Sequence, residues 1–184
     1  MSYCQAISSM KPQDQVLHQV YHDQHYGFPI RDDNELFGRL ILEINQAGLS
    51  WTTILKKQTN FRHAYHQFDI RKVAAYKQKD IQRLLNDEGI IRNKLKIRAA
   101  IENAQTILLL QKQYGSFKKW IDVHHPLPKE AWVKLFKKTF YFTGGEIVNE
   151  FLMSTGYLPG AHEKKCPIHQ KVLKQKPAWH IQSC

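Results

Sequence analysis

From residue 33 onward the apolar residues recur at offsets of three and four, the period of an α-helix. Leu36, Phe37, Leu40, Ile41 and Ile44 share one face, and Asp33 or Asn34 can cap a helix that ends before Gly48. Trp51, Ile54 and Leu55 open another helical stretch, and Phe61, Ala64, Tyr65 and Phe68 form a further stripe. Ile81, Leu84 and Leu85 predict a short helix that stops at Asp87-Glu88-Gly89. Ile97, Ala100, Ile101, Ala104, Ile107 and Leu108 predict a long one. Short helices follow around Phe117 to Ile121 and Ala131 to Phe136, and a last one carries Ile147, Val148, Phe151 and Leu152 after Gly144-Gly145. Prolines make His124-His125-Pro126-Leu127-Pro128 a loop. Few stretches alternate with period two, so the predicted fold class is all-α. The tail from Pro167 shows no such period and reads as a lysine-rich surface extension.

A chain of 184 residues, 42% hydrophobic, suits one domain with a real core. No apolar run approaches the ~18 residues of a membrane span. The start, Met-Ser-Tyr-Cys-Gln, lacks the layout of a signal peptide, so a cytosolic protein with no membrane partner is expected. Lysine and arginine total 27 against 16 acids, a net charge of +11 that favours a polyanionic partner such as nucleic acid. The lysine pairs at 56–57, 118–119, 137–138 and 164–165 spread this charge along the chain rather than into one arm. Three cysteines argue against a disulfide framework, and ten histidines bring metal binding into play.

Three places carry candidate chemistry. Glu43 follows Leu36 by seven residues and Leu40 by three, which puts a carboxylate on the apolar stripe. Burying it is costly unless it is paired or hydrogen-bonded, so it either pairs with an arginine or caps a turn, or it serves a site. Asn45-Gln46-Ala47-Gly48-Leu49-Ser50-Trp51 follows it, and an acid, amides and an indole around one turn suit a planar polar ligand such as a nucleobase. Second, Leu84 to Lys94 joins two helices through Gly89. With Ile90 and Ile91 packing back and Arg92, Lys94 and Lys96 near a helix start at Arg92 or Asn93, this corner can hold a DNA phosphate or be a plain turn. Third, His162 and Cys166 lie four residues apart, and Cys4 with His22 would complete a Cys₂His₂ zinc set. His18 is a rival to His22, and by spacing alone ordinary thiols and surface histidines are the simpler reading. Cys184 is left out of the set.

Taken together these residues resemble the bacterial 3-methyladenine DNA glycosylase I family, in the helix–hairpin–helix superfamily. The resemblance rests on Tyr21-His22-Asp23 with Tyr26-Gly27, on Leu42 to Trp51, on Gly89-Ile90-Ile91-Arg92 and on His162-x-x-x-Cys166, four blocks in order from Cys4 to Cys166. It implies a single glycosylase domain over 1–184, with the helix–hairpin–helix at about 81–110. One structural zinc on Cys4, His22, His162 and Cys166 would join segments 1–33 and 156–184. It implies that Glu43 contacts a flipped base, that Tyr21 and Trp51 sandwich it, with Tyr26 and Asn45 in the same pocket, and that Gly48 and Leu49 push into the DNA it leaves. Gly89, Ile90, Arg92, Lys94 and Lys96 would contact the DNA backbone. The chain departs from the family at Ala6, where a tryptophan is frequent, at Tyr26, where another member has tryptophan, and in a longer stretch between Cys4 and Tyr21.

The implied activity is hydrolysis of the N-glycosidic bond of 3-methyladenine in alkylated double-stranded DNA, a step of base excision repair in the bacterial cytosol, by a monofunctional enzyme acting as a monomer. Many relatives in the wider superfamily carry a catalytic aspartate after the hairpin. Here the only acid from Asn93 through Ile121 is Glu102, which fits a substrate whose bond is already weak. The rivals are a zinc-stapled DNA-binding protein without catalysis and a glycosylase for another alkylated base.

Overall fold

The computed structural model describes residues 2–181; Cys184 lies outside them. Among the described residues every regular element is helical. Besides two 3-10 turns at Ile7–Ser9 and His66–Phe68, these are in order α1 (Tyr3–Ala6), α2 (Pro12–Gln24), α3 (Asp33–Gln46), α4 (Trp51–Ala64), α5 (Ile70–Ala74), α6 (Gln78–Asn86), α7 (Lys94–Tyr114), α8 (Phe117–His124), α9 (Lys129–Thr139), α10 (Gly145–Ser154), α11 (Pro167–Lys174) and α12 (Ala178–Ile181). None is long and apolar enough to cross a membrane. The chain forms two compact units: Arg31–Val148, and the residues up to Ile30 together with those from Asn149 onward.

The larger unit is built around α3. Every residue from Leu36 to Asn45 is buried, the three polar ones Arg39, Glu43 and Asn45 included. A helix enclosed on all sides has no solvent face, so its polar positions are buried by location. Its start differs from the sequence expectation. Asp32 is the cap, its carboxylate accepting from Glu35 N–H at 3.0 Å. Asp33 and Asn34 work across the unit instead. Asp33 accepts the Phe117 and Lys118 N–H groups at 2.7 and 2.9 Å, satisfying donors at the start of α8. Asn34 accepts from Ile70 N–H at 3.1 Å at the start of α5. One acidic loop thus organises three helix starts.

In the smaller unit, α2 was not expected as a helix. Its buried face is His18, Tyr21 and His22, which a search for aliphatic stripes passes over. The tail is also more ordered than its sequence suggests. Pro167 takes the first turn of α11, where a missing N–H costs nothing, and Ile168 and Val172, one turn apart, are buried.

Candidate functional site

Within the smaller unit, α1, α2 and the segment between α10 and α11 bring Cys4, His22, His162 and Cys166 together, their ligand atoms all within 4.8 Å of one another. The His22 Nε2 to Cys4 Sγ distance is 3.3 Å, His22 Nε2 to His162 Nδ1 3.1 Å, and Cys166 Sγ lies 3.7 and 3.9 Å from the same two nitrogens. A tetrahedral zinc with Zn–N and Zn–S bonds of about 2.0–2.3 Å spaces its donors roughly 3.3–3.8 Å apart. The chemistry of the donors fits as well. Asp23 accepts from His22 Nδ1 at 2.6 Å, and the Tyr26 carbonyl accepts from His162 Nε2 at 2.8 Å. Each ring therefore spends its N–H outward and turns a lone pair inward, the arrangement of metal-bound histidines. Burial holds His162 below the usual histidine range, in the neutral form a ligand needs. Burial, with the Cys166 thiol beside it, pushes the Cys4 thiol up, so a thiolate at Cys4 needs a cation beside it. His18 is not in the cluster; its Nδ1 meets the Tyr3 hydroxyl at 2.7 Å.

Beside the cluster lies an aromatic nest. Tyr21 and Tyr26 are buried with ring centroids 5.6 Å apart, and Tyr3 packs edge-on to Tyr26 at 5.2 Å. The Tyr26 hydroxyl donates to Glu150 at 3.2 Å. Gly27, at φ +80°, lets the chain turn here; a Cβ on it would stand 2.7 Å from that of Ala161.

In the larger unit, Glu43 is 3% exposed near the end of α3. The turn after it is held from two sides. Ser50 caps α4 by accepting from Thr53 N–H, so Trp51 is the first helical residue. Lys96, from α7, donates its ammonium to the carbonyls of Asn45 at 2.9 Å and Ala47 at 2.6 Å. These carbonyls end a helix and have no partner along it, and a cation there also suits the helix dipole. Burial lowers the Lys96 pKa. Lys96 is therefore placed differently from a phosphate-contacting residue: it is buried and its charge is spent on the turn. Asn45 donates to the Ile41 carbonyl at 2.8 Å, while its Oδ1 is buried without a hydrogen bond. The clamped turn projects Gly48, at φ +80° with open space around its missing Cβ, and Leu49, which is 40% exposed.

The hairpin also lies in this unit. Gly89 N–H donates to Asp87 at 2.8 Å, Lys57 of α4 donates to the Glu88 carbonyl at 2.7 Å, and Ile90 is buried. α7 begins at Lys94, capped by Asn93, whose Oδ1 accepts from the N–H groups of Leu95 and Lys96. Two N–H groups at this helix start are thus satisfied by Asn93 and are not available to a phosphate. Arg92 and Lys94 are exposed.

The model of the family described as methyladenine glycosylase matches residues 11–131. The chain belongs to the methyladenine glycosylase family. It is 38% identical to DNA-3-methyladenine glycosylase 1 of Escherichia coli (strain K12), over 76% of this chain and 85% of that one. It is 34% identical to DNA-3-methyladenine glycosylase of Haemophilus influenzae, over 84% of this chain and 93% of that one. A solved structure concerned with 3-methyladenine recognition by 3-methyladenine DNA glycosylase I from Staphylococcus aureus aligns with a TM-score of 0.75 at 32% identity, covering 83% of this chain and 90% of that chain.

For a methyladenine glycosylase, three contributors in these units escaped the sequence reading. Tyr3 and Glu150 flank Tyr26, and neither stands in a recognisable pattern. Asp23 orients His22, and its signal was available, since it directly follows that histidine.

Proposed function

We propose that the protein hydrolyses the N-glycosidic bond of 3-methyladenine in alkylated double-stranded DNA, opening base excision repair. The observation that carries this reading is Glu43, a carboxylate buried at the end of α3 beside the clamped Gly48–Leu49 turn, in a chain of this family. A base methylated at N3 is cationic and already a good leaving group, so the enzyme's work is chiefly to extrude, stack and match it. Glu43, as an anion, would accept a hydrogen bond from the base and favour its cationic form. Trp51 would supply an aromatic face, a stacked contact worth about 1–3 kcal/mol. Asn45 offers the base an amide whose oxygen is buried without a hydrogen bond. Leu49 would fill the space the nucleotide leaves, and Arg92 and Lys94, with the Gly89–Ile90 turn, would hold phosphates. Water completes the hydrolysis, with no covalent enzyme intermediate.

Cys4, His22, His162 and Cys166 would hold one structural zinc, whose contribution is to fix the smaller unit; a closed set of four protein ligands leaves no position for substrate. The enzyme would act in the cytosol as a monomer.

The test is to incubate the protein with DNA methylated by a simple alkylating agent and separate the released bases by chromatography. Free 3-methyladenine is the expected product. Release of a different alkylated base alone, or binding without release, would overturn the reading.

A further inference from the structure

After α9 the chain crosses to α10 through residues 140–144, and this turn is fixed from inside. Asn103 of α7 is fully buried, and both ends of its amide are spent on one residue: Nδ2 donates to the Tyr141 carbonyl at 3.1 Å and Oδ1 accepts from Tyr141 N–H at 2.7 Å. Phe140 and Thr143 are buried on either side, with the Thr143 hydroxyl donating to the Phe140 carbonyl at 3.2 Å. Phe142 has φ +59°, a conformation uncommon for an aromatic residue and sustained only where the surroundings impose it. The outcome of this bracing is outward: Tyr141 is 59% exposed and Phe142 41%. The buried amide fixes the backbone of this turn, and the turn leaves two neighbouring aromatic side chains at the surface, where they can serve a contact.

The surroundings indicate what it contacts. The last turns of α9 carry exposed Lys134, Lys137 and Lys138, and no acid occurs from Ala131 through Gly145. Lysines beside exposed rings form the pattern that holds a nucleic-acid strand, ammonium groups on phosphates and rings on bases. Just after the rings, residues 144–147, including Glu146, whose carboxylate pairs with Lys129 at 3.5 Å, line an open cleft of about 660 Å³ that is also lined by Gln46–Ser50, the turn that bears Gly48 and Leu49.

We propose that Tyr141 and Phe142 are a second aromatic contact to damaged DNA, packing on bases left unstacked beside the nucleotide that Leu49 displaces, with Lys137 and Lys138 on the neighbouring phosphates. This rests on the glycosylase reading and adds to it a discriminating element outside the base pocket. The rings gain a face to stack on only where the duplex is opened, so they favour a lesion over intact DNA.

The test measures binding of native protein and of the Tyr141→Ala/Phe142→Ala double variant by fluorescence anisotropy, at one salt concentration. One duplex contains a tetrahydrofuran abasic analogue and the other is intact. The variant should lose about tenfold or more in affinity for the abasic-analogue duplex and less than about twofold for the intact one. Unchanged affinity for the abasic-analogue duplex, or an equal loss on both, overturns the proposal. Should the variant fail to fold, native protein is photocrosslinked to an abasic-analogue duplex carrying 5-iododeoxyuridine next to the gap, and the site is mapped by mass spectrometry. Crosslinks at Tyr141 or Phe142 support the contact, and crosslinks confined to other residues overturn it. Native protein that releases 3-methyladenine while the variant binds unchanged sinks this inference alone. Native protein that neither releases the base nor prefers the abasic-analogue duplex sinks the glycosylase reading and this contact with it.

Discussion

The Lys96 ammonium donates to the Ala47 carbonyl at 2.6 Å, tying α7 to the turn between α3 and α4. The sequence places Lys96 among residues expected to face phosphate, yet it is buried and also holds the Asn45 carbonyl. It therefore links the hairpin helix to the turn that presents Gly48 and Leu49.

Lys96→Met keeps the length of the side chain and removes both bonds, leaving two carbonyls without their cation. A hydrogen bond to a charged group is worth about 1.5–3 kcal/mol, and in a chain of this size each kcal/mol moves the melting temperature by roughly 2–4 °C. Losing two such bonds, the variant should melt roughly 6–24 °C lower by calorimetry. A melting temperature equal to the native value would show that the clamp contributes nothing.

The metal set makes a compositional prediction. Elemental analysis of protein purified without chelator should give about one zinc per chain, lost in Cys4→Ser and in His22→Ala and kept in His18→Ala, since His18 is engaged with Tyr3. Asp23→Asn should keep the four ligands but weaken zinc binding about 10- to 100-fold in a chelator competition, because the carboxylate that orients His22 is gone. Zinc lost on mutating His18 and retained on mutating His22 would contradict the ligand assignment.

Arg92 is exposed and pairs only loosely with Glu88 at 3.7 Å, so its charge is available to DNA at little cost. Arg92→Ala should weaken binding to damaged and intact duplex alike, and should lower the slope of log affinity against log salt by about one. A loss restricted to damaged DNA would place this arginine at the lesion instead of on the backbone.

Much of this was legible in the chain. Except for α5, which the pattern did not mark, the helices from α3 to α10 follow from apolar residues at helical offsets, though α4 ends at Ala64 and the expected stripe breaks at residues 66–68, where φ is positive; the cysteines and histidines that converge are those named from the sequence. Other features were hidden for physical reasons. α2 buries His18, Tyr21 and His22 rather than an aliphatic stripe, and α11 is short, with a two-residue core face. The cap of α3 is Asp32 rather than the expected Asp33 or Asn34, because the three are equally good caps by type. Which one caps α3 is decided by the helices that the other two must reach. Glu43 is buried for a broader reason than its periodicity. Its place on a stripe mattered less than the enclosure of all of α3, which buries Arg39 one turn earlier as well.

That neighbourhood defines the decisive measurement, since a buried acid one turn from a buried arginine has a structural use as well as a recognition use. Glu43→Gln retains shape and one acceptor and removes the charge. The measurement is single-turnover release of 3-methyladenine from methylated DNA by native and variant protein, with zinc content and melting temperature taken on the same preparations. A charge-assisted hydrogen bond of about 1.5–3 kcal/mol predicts release slowed roughly 10- to 100-fold at unchanged zinc and near-native melting. Native release rates from a variant that melts lower would make Glu43 a structural acid and contradict its role in recognising the base.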